Sequence, residues 1–159
     1  MTDQQTAELQ RKLMEQLIPF EKLPKGIKET TLEFITFRQE LIKESDRGCD
    51  LLATSHLEFM LQKVLSATLC GTDKHLKSIF DFNGPLGTLS SRILLSHSIG
   101  ILSKFQLHDI QFVRKIRNEF GHTAKIISFE NEKIKKYCSM FKLIGSRHSE
   151  NPKRGLLLL

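Results

Sequence analysis

Apolar residues recur along this chain at intervals of three and four and almost nowhere at intervals of two. That pattern confines the chain to helices. A helix brings residues three and four apart onto one face, whereas a strand does so for every second residue. The clearest run is Leu51 to Leu69, which carries Leu51, Leu52, Leu57, Met60, Leu61, Val64 and Leu65. It predicts a long central helix with more than one buried face.

The punctuation between helices is equally readable. Residues 3–17 predict an amphipathic helix through Leu9, Leu13 and Leu17, ended by Pro19 and Pro24. Thr30-Thr31-Leu32-Glu33 reads as a capping box opening a helix to about Lys43. Ser45-Asp46-Arg47-Gly48 interrupts or bends the path. Gly71 and Asp73 precede a short helix from Lys74 to Phe80. Phe82 to Thr88 is a loop by composition, and Thr88 can cap a helix of roughly 89–101. Ser103-Lys104-Phe105-Gln106 is a second capping box, and a last helix of roughly 130–143 follows. The expected fold is all-α, a single-domain bundle of six to seven helices over residues 1–145. Residues 146–159 are expected to form a loose or truncated tail.

At 159 residues, with 40% apolar and 26% charged content, the chain has enough material for a real core. No apolar run is long enough to cross a bilayer. Met1 to Glu15 is polar and mixed in charge, unlike a secretory signal. Cys49, Cys70 and Cys138 are odd in number and widely spaced, which argues for a reducing cytoplasm and against a disulfide framework. The six histidines show no HxxxH spacing, and no metal site or cofactor is expected. A net charge of +6 permits weak contact with phosphates or acidic partners. The local excess lies at Lys133, Lys135 and Lys136 and in Arg147, His148, Lys153 and Arg154. With one tyrosine and no tryptophan, no aromatic-basic interleaving suggests a stacking surface for single strands.

Chemistry concentrates in Arg114-Lys115-Ile116-Arg117-Asn118-Glu119-Phe120-Gly121-His122. Arg114, Asn118 and His122 are each four residues apart and share one helical stripe. Arg117 falls on the apolar side, between Ile110 and Val113. An arginine there needs a carboxylate or several carbonyls, because an unpaired buried charge is costly. Asp46 and Asp50, four apart on another helix, are the expected partners of Arg114 or Arg117. Arg117 is therefore expected to be mostly buried and salt-bridged. Two readings stay open: a structural polar network of Asp46, Asp50, Arg114, Arg117, Asn118 and His122, or a small active site. The Arg117-to-His122 spacing resembles the signature of HEPN-domain ribonucleases, which are small all-helical proteins. That resemblance implies a dimer in which the arginine and histidine of two protomers meet. His122 would then serve as general acid or base, and Arg117 would stabilise a phosphorane-like transition state.

The loop Asn83-Gly84-Pro85-Leu86-Gly87-Thr88 lacks the preceding strand and the following Gly-Lys-Ser/Thr of a phosphate loop. It reads instead as a stiff connector plugged by Phe82 and Leu86. It is expected beside the Arg114–His122 helix end, with Asn118 and Arg114 donating to it. Gly87 is expected to need a positive φ.

Three blocks together carry a family resemblance. They are Asp46-Arg47-Gly48-Cys49 with Leu51-Leu52-Ala53-Thr54-Ser55, Phe82 to Thr88 with Ser91-Arg92-Ile93, and Arg114 to His122. In this order the chain resembles the mannitol operon repressor family over about residues 30–145. Two features depart from the pattern: Gly121 stands where alanine is usual, and Asn151 to Leu159 looks like an apolar helix cut short. The resemblance implies an all-helical, non-enzymatic regulator of transcription without a DNA-binding motif. Its partners would be proteins of the transcription or sugar-uptake machinery, with a homodimer allowed.

The residues themselves agree that direct DNA binding is not expected. In the best candidate helix pair, 89–101 and 104–120, the second helix offers Gln106, His108, Asp109 and Gln111. Phe105, Leu107, Ile110 and Val113 make it read as a core helix.

Overall fold

The computed structural model describes residues 24–122 and 126–143. Among them are six helices: α1 Lys25–Lys43, α2 Asp46–Thr68, α3 Asp73–Phe80, α4 Leu89–Ser98, α5 Lys104–His122 and α6 Glu132–Ser139. No strand occurs among the described residues, so the all-helical expectation holds. The predicted helix at 3–17 and the tail from Gly145 lie outside the described residues. Residues 1–40 and 41–159 form two compact units.

In the first unit, α1 starts directly after Pro24, whose carbonyl accepts from Ile27 N and Lys28 N at 3.0 Å each. Thr30 is therefore inside the helix rather than at its cap. Its hydroxyl donates back to Gly26 O at 3.0 Å, and that of Thr31 donates to Ile27 O at 2.7 Å. These hydroxyls donate to carbonyls one turn back, as Thr does inside a helix, so the expected capping box does not form. Lys25 and Glu29 pair along this helix at 3.9 Å, and Arg38 lies over the Phe34 ring.

In the second unit, each helix start is fixed by a small polar side chain. The Ser45 hydroxyl accepts from Gly48 N at 3.1 Å, so α2 opens at Asp46 and runs through Gly48 instead of bending there. Thr72 and Thr88 cap α3 and α4, accepting from His75 N and Ser91 N. At the start of α5 the capping box is reciprocal. Ser103 N donates to Gln106 Oε1 at 2.9 Å, and Gln106 N donates to Ser103 Oγ at 3.2 Å. Asn131 caps α6 through Lys133 N and Ile134 N. Helix α4 closes on Gly100 at φ 80°, a left-handed residue that suits glycine. Ile101 N and Leu102 N then both donate to Ser96 O.

Helix α2 packs on α4 and α5, and α5 also packs on α4 and α6. Leu61, Ile93, Leu102 and Ile110 form one buried cluster, and Leu65, Phe80 and Leu86 form another. Toward the far end of α5, Phe120 meets Phe129 edge-on, with ring centres 5.1 Å apart. The central helix is more one-sided than its sequence suggests. Leu61 and Leu65 are buried, whereas Leu51, Leu52 and Val64 are exposed. Phe105, expected in the core, is also exposed, with Lys142 Nζ 5.9 Å from its ring centre.

Candidate functional site

Arg92 is the organising side chain of the α3–α4 connection. It sits in the first turns of α4, only 6% exposed. Its Nε donates to Leu86 O at 2.7 Å. One terminal nitrogen donates to Phe80 O and the other to Glu58 O, each at 3.3 Å. Glu58 Oε1 lies 3.5 Å away and supplies the counter-charge. A planar fork with five donors suits this task, reaching a helix end, a loop and a neighbouring helix together.

The loop itself is tightly wound. Gly84 N donates to Asp81 O at 2.7 Å, Leu86 N to Ile79 O at 2.9 Å and Gly87 N to Gly84 O at 3.0 Å. A Cβ on Gly84 would fall 2.4 Å from the Ile79 and Ser78 carbonyl oxygens. A Cβ on Gly87 would fall 2.4 Å from those of Asp81 and Phe82. Gly87 is thus required by close approach of backbone, not by a positive φ, which it does not have. Leu86 plugs the loop as expected. Phe82 does not: it is 88% exposed. Asp81 and Asn83 beside it are exposed as well.

The Arg114–His122 segment is distributed differently from the expected network. Arg114 donates to the Ser90 hydroxyl in the first turn of α4, not to Asp46 or Asp50. It reaches the loop only through that turn, and Arg92 holds the loop instead of Arg114 and Asn118. Arg117, Asn118 and His122 are all exposed. The expected burial and salt bridge of Arg117 are therefore corrected. The buried arc of α5 is made by Asp109, Ile110, Val113, Ile116 and Phe120. Arg117 stands at its margin, where a long side chain can keep its charged head in water. Asp46 turns to the chain after α5 and accepts from Phe129 N at 2.9 Å.

Asp50 remains, and its setting is unusual. It is 0% exposed, and neither carboxylate oxygen has a hydrogen-bond partner. One turn on, the buried Thr54 hydroxyl is also unpartnered. Burial pushes the Asp50 carboxyl up from 3.8 to about 7, against the opposing pull of the Arg117 charge. The Cys138 thiol on α6 is pushed up to about 12 by burial and, secondarily, by Asp50. Such a thiol stays protonated at neutral pH and is no nucleophile.

Sequence reasoning overlooked two further polar anchors. Asp109 is fully buried and accepts from Lys142 N at 2.9 and 3.0 Å, from Leu143 N at 2.8 Å and from His108 Nδ1 at 2.9 Å. Its burial agrees with the reading of this helix as a core helix rather than one that enters a groove. Arg92 was visible as a charge beside Ile93, but its partners are carbonyls, which carry no residue signature.

Two sequence-level charge readings also change. Lys133 pairs with Glu119 at 2.5 Å and Lys135 with Glu130 at 2.7 Å, so the basic cluster on α6 is largely neutralised. His108 and Phe112, one turn apart on α5, and Tyr137 on α6 make tilted ring contacts, and Lys115 Nζ lies 4.4 Å from the Phe112 centre. Aromatic and basic groups do meet here, with the lysine over one ring.

The class this defines is an all-helical protein whose buried polar side chains serve mainly to hold the segments between and after its helices. Among the described residues no group of three or more His, Cys, Asp or Glu could hold a metal ion. No helix among them is long and apolar enough to cross a membrane. The family described as Mannitol repressor matches residues 28–154, and the chain belongs to that family. A mannitol operon repressor of Escherichia coli strain K12 is 27% identical over 59 residues, which cover 37% of this chain. A second from Escherichia coli O6:H1 gives the same figures. The matched stretch spans 30% of the length of these curated relatives. No solved structure matches the chain.

Proposed function

We infer that this protein is a regulator that works by contacting other proteins, without catalysing a reaction and without reading DNA. Membership of the mannitol repressor family supports the regulatory part. The observation that carries the contact mechanism is the α3–α4 loop. Arg92 and two sterically locked glycines hold it rigid while it presents Phe82 to solvent. A rigid loop with an exposed aromatic binds at low ordering cost, and aromatic anchors dominate protein interfaces. The burial of Asp109 and the ion pairs on α6 leave α5 and α6 poorly suited to a DNA groove. The partners in this reading are proteins of the transcription or sugar-uptake machinery in the cytoplasm. The relatives' names point to control of a mannitol operon in particular.

The test is a transcription reporter for that operon in cells carrying wild type or Phe82→Ser. Phe82→Ser should melt like wild type and lose most of the regulation. Full regulation by that variant would contradict the loop's role, and specific retention of operator DNA by the purified protein would contradict the indirect mechanism. The exposure of both Arg117 and His122 favours one second reading, an RNA-cleaving pair completed across a dimer. Cleavage of RNA by wild type and its loss in His122→Ala would support that reading; equal inertness of both would end it.

A further inference from the structure

We propose that Asp50 and Arg117 form a proton-set latch, in which Arg117 stays on the surface of α5 while Asp50 is protonated and folds onto Asp50 when the carboxyl ionises. The argument rests first on what is missing around Asp50. Its two oxygens and the Thr54 hydroxyl are buried in the second unit with no hydrogen-bond partner. A buried carboxylate without a partner is costly, and that cost grows once the group carries charge. Something must answer the charge when it appears. Helix α5 contributes the Arg117 guanidinium, the cation that already acts on Asp50. Helix α6 contributes the Cys138 thiol, which is neutral. On α2 itself Thr54 offers only a hydroxyl.

Arg117 is exposed, at the edge of the buried arc of α5, and close enough for its charge to act on Asp50. Turned inward, its guanidinium would deliver two or more donors to oxygens that have none. The burial that lifts the Asp50 carboxyl to about 7 places the change in the physiological pH range. The consequence is a change in the surface next to Asn118 and His122, which gains or loses a positive charge as the pH crosses neutrality.

The experiment is nuclear magnetic resonance on the full chain between pH 5.5 and 8.5, following the Arg117 Nε–H and the Asp50 side-chain carboxyl carbon. Arg117→Lys assigns the arginine signal. The latch predicts that the Arg117 signal resembles a free guanidinium at pH 5.5. At pH 8.5 it should become shifted and slow to rotate, with the midpoint matching that of the Asp50 carbon. In Asp50→Asn the Arg117 signal should stay free throughout. An Arg117 signal that does not respond to pH, or responds equally in Asp50→Asn, overturns the proposal. Should Asp50→Asn fail to fold, Arg117→Gln at the surface serves instead. Loss of the cation should raise the Asp50 midpoint by about one pH unit, and an unchanged midpoint overturns the proposal.

Discussion

Arg92 and Asp50 are both buried ionisable residues in the same helical unit, and they are treated in opposite ways. Arg92 has three carbonyls and a carboxylate around it, and each branch of its guanidinium is used. Asp50 has two oxygens and neither is used. A satisfied buried charge locks the backbone that it touches, and in this case it locks the loop that presents Phe82. An unsatisfied one stores a conditional cost that depends on protonation. The comparison teaches that burial alone does not make a polar residue structural. What surrounds the charge decides whether the region is fixed or responsive.

The fixed region can be broken in two ways. Gly87→Val should have the largest effect, because its Cβ would enter two carbonyl oxygens that cannot retreat without unwinding the loop. Thermal melting should show partial unfolding or a loss on the order of 3 kcal/mol or more. Arg92→Met keeps the apolar stem and strips the donors from Leu86 O, Phe80 O and Glu58 O. A loss of about 3 kcal/mol in denaturant titration is expected. Values below about 1 kcal/mol for either variant would show that the loop is not held as described.

The contrast sharpens with Asp109, a buried carboxylate that is fully bonded. Asp109→Ala leaves Lys142 N and Leu143 N without their acceptor. The expected cost is about 2 kcal/mol, with faster hydrogen exchange at those two amides. Arg117→Ala, which removes an exposed group at acidic pH, should change stability at pH 5.5 by less than about 0.5 kcal/mol. A large loss there would restore Arg117 as a core element.

How much of this was legible in the sequence follows from what each contact is made of. The Ser103–Gln106 box and the Thr88 cap were readable because capping needs particular side chains at particular spacings. The Phe82–Thr88 loop was readable as a connector from its glycines and proline. The reason for Gly87 was not, since close backbone approach and positive φ both select glycine. The wheel of α5 placed Arg117 on the apolar side correctly by angle. An angle does not say how far the covering elements reach, and Arg117 is exposed. Arg92 escaped attention because carbonyl acceptors 6, 12 and 34 residues away are supplied by any sequence. The unpartnered state of Asp50 is invisible before the fold exists, because it consists of what the neighbouring helices do not offer.

The central claim is that Asp50 is a conditional element, a buried carboxyl whose cost depends on its protonation, and the dependence of stability on pH tests it most directly. The carboxyl lies at 3.8 when unfolded and about 7 when folded, so the folded state holds the proton more tightly. Its contribution is favourable below about pH 4 and is lost as the pH rises toward 7. Denaturant titrations of wild type and Asp50→Asn at pH 5 and pH 8 isolate that contribution, because the variant cannot titrate at this position. Wild type should lose about 2 kcal/mol more than Asp50→Asn between the two values. Equal losses in the two proteins, or a smaller loss in wild type, would contradict the account.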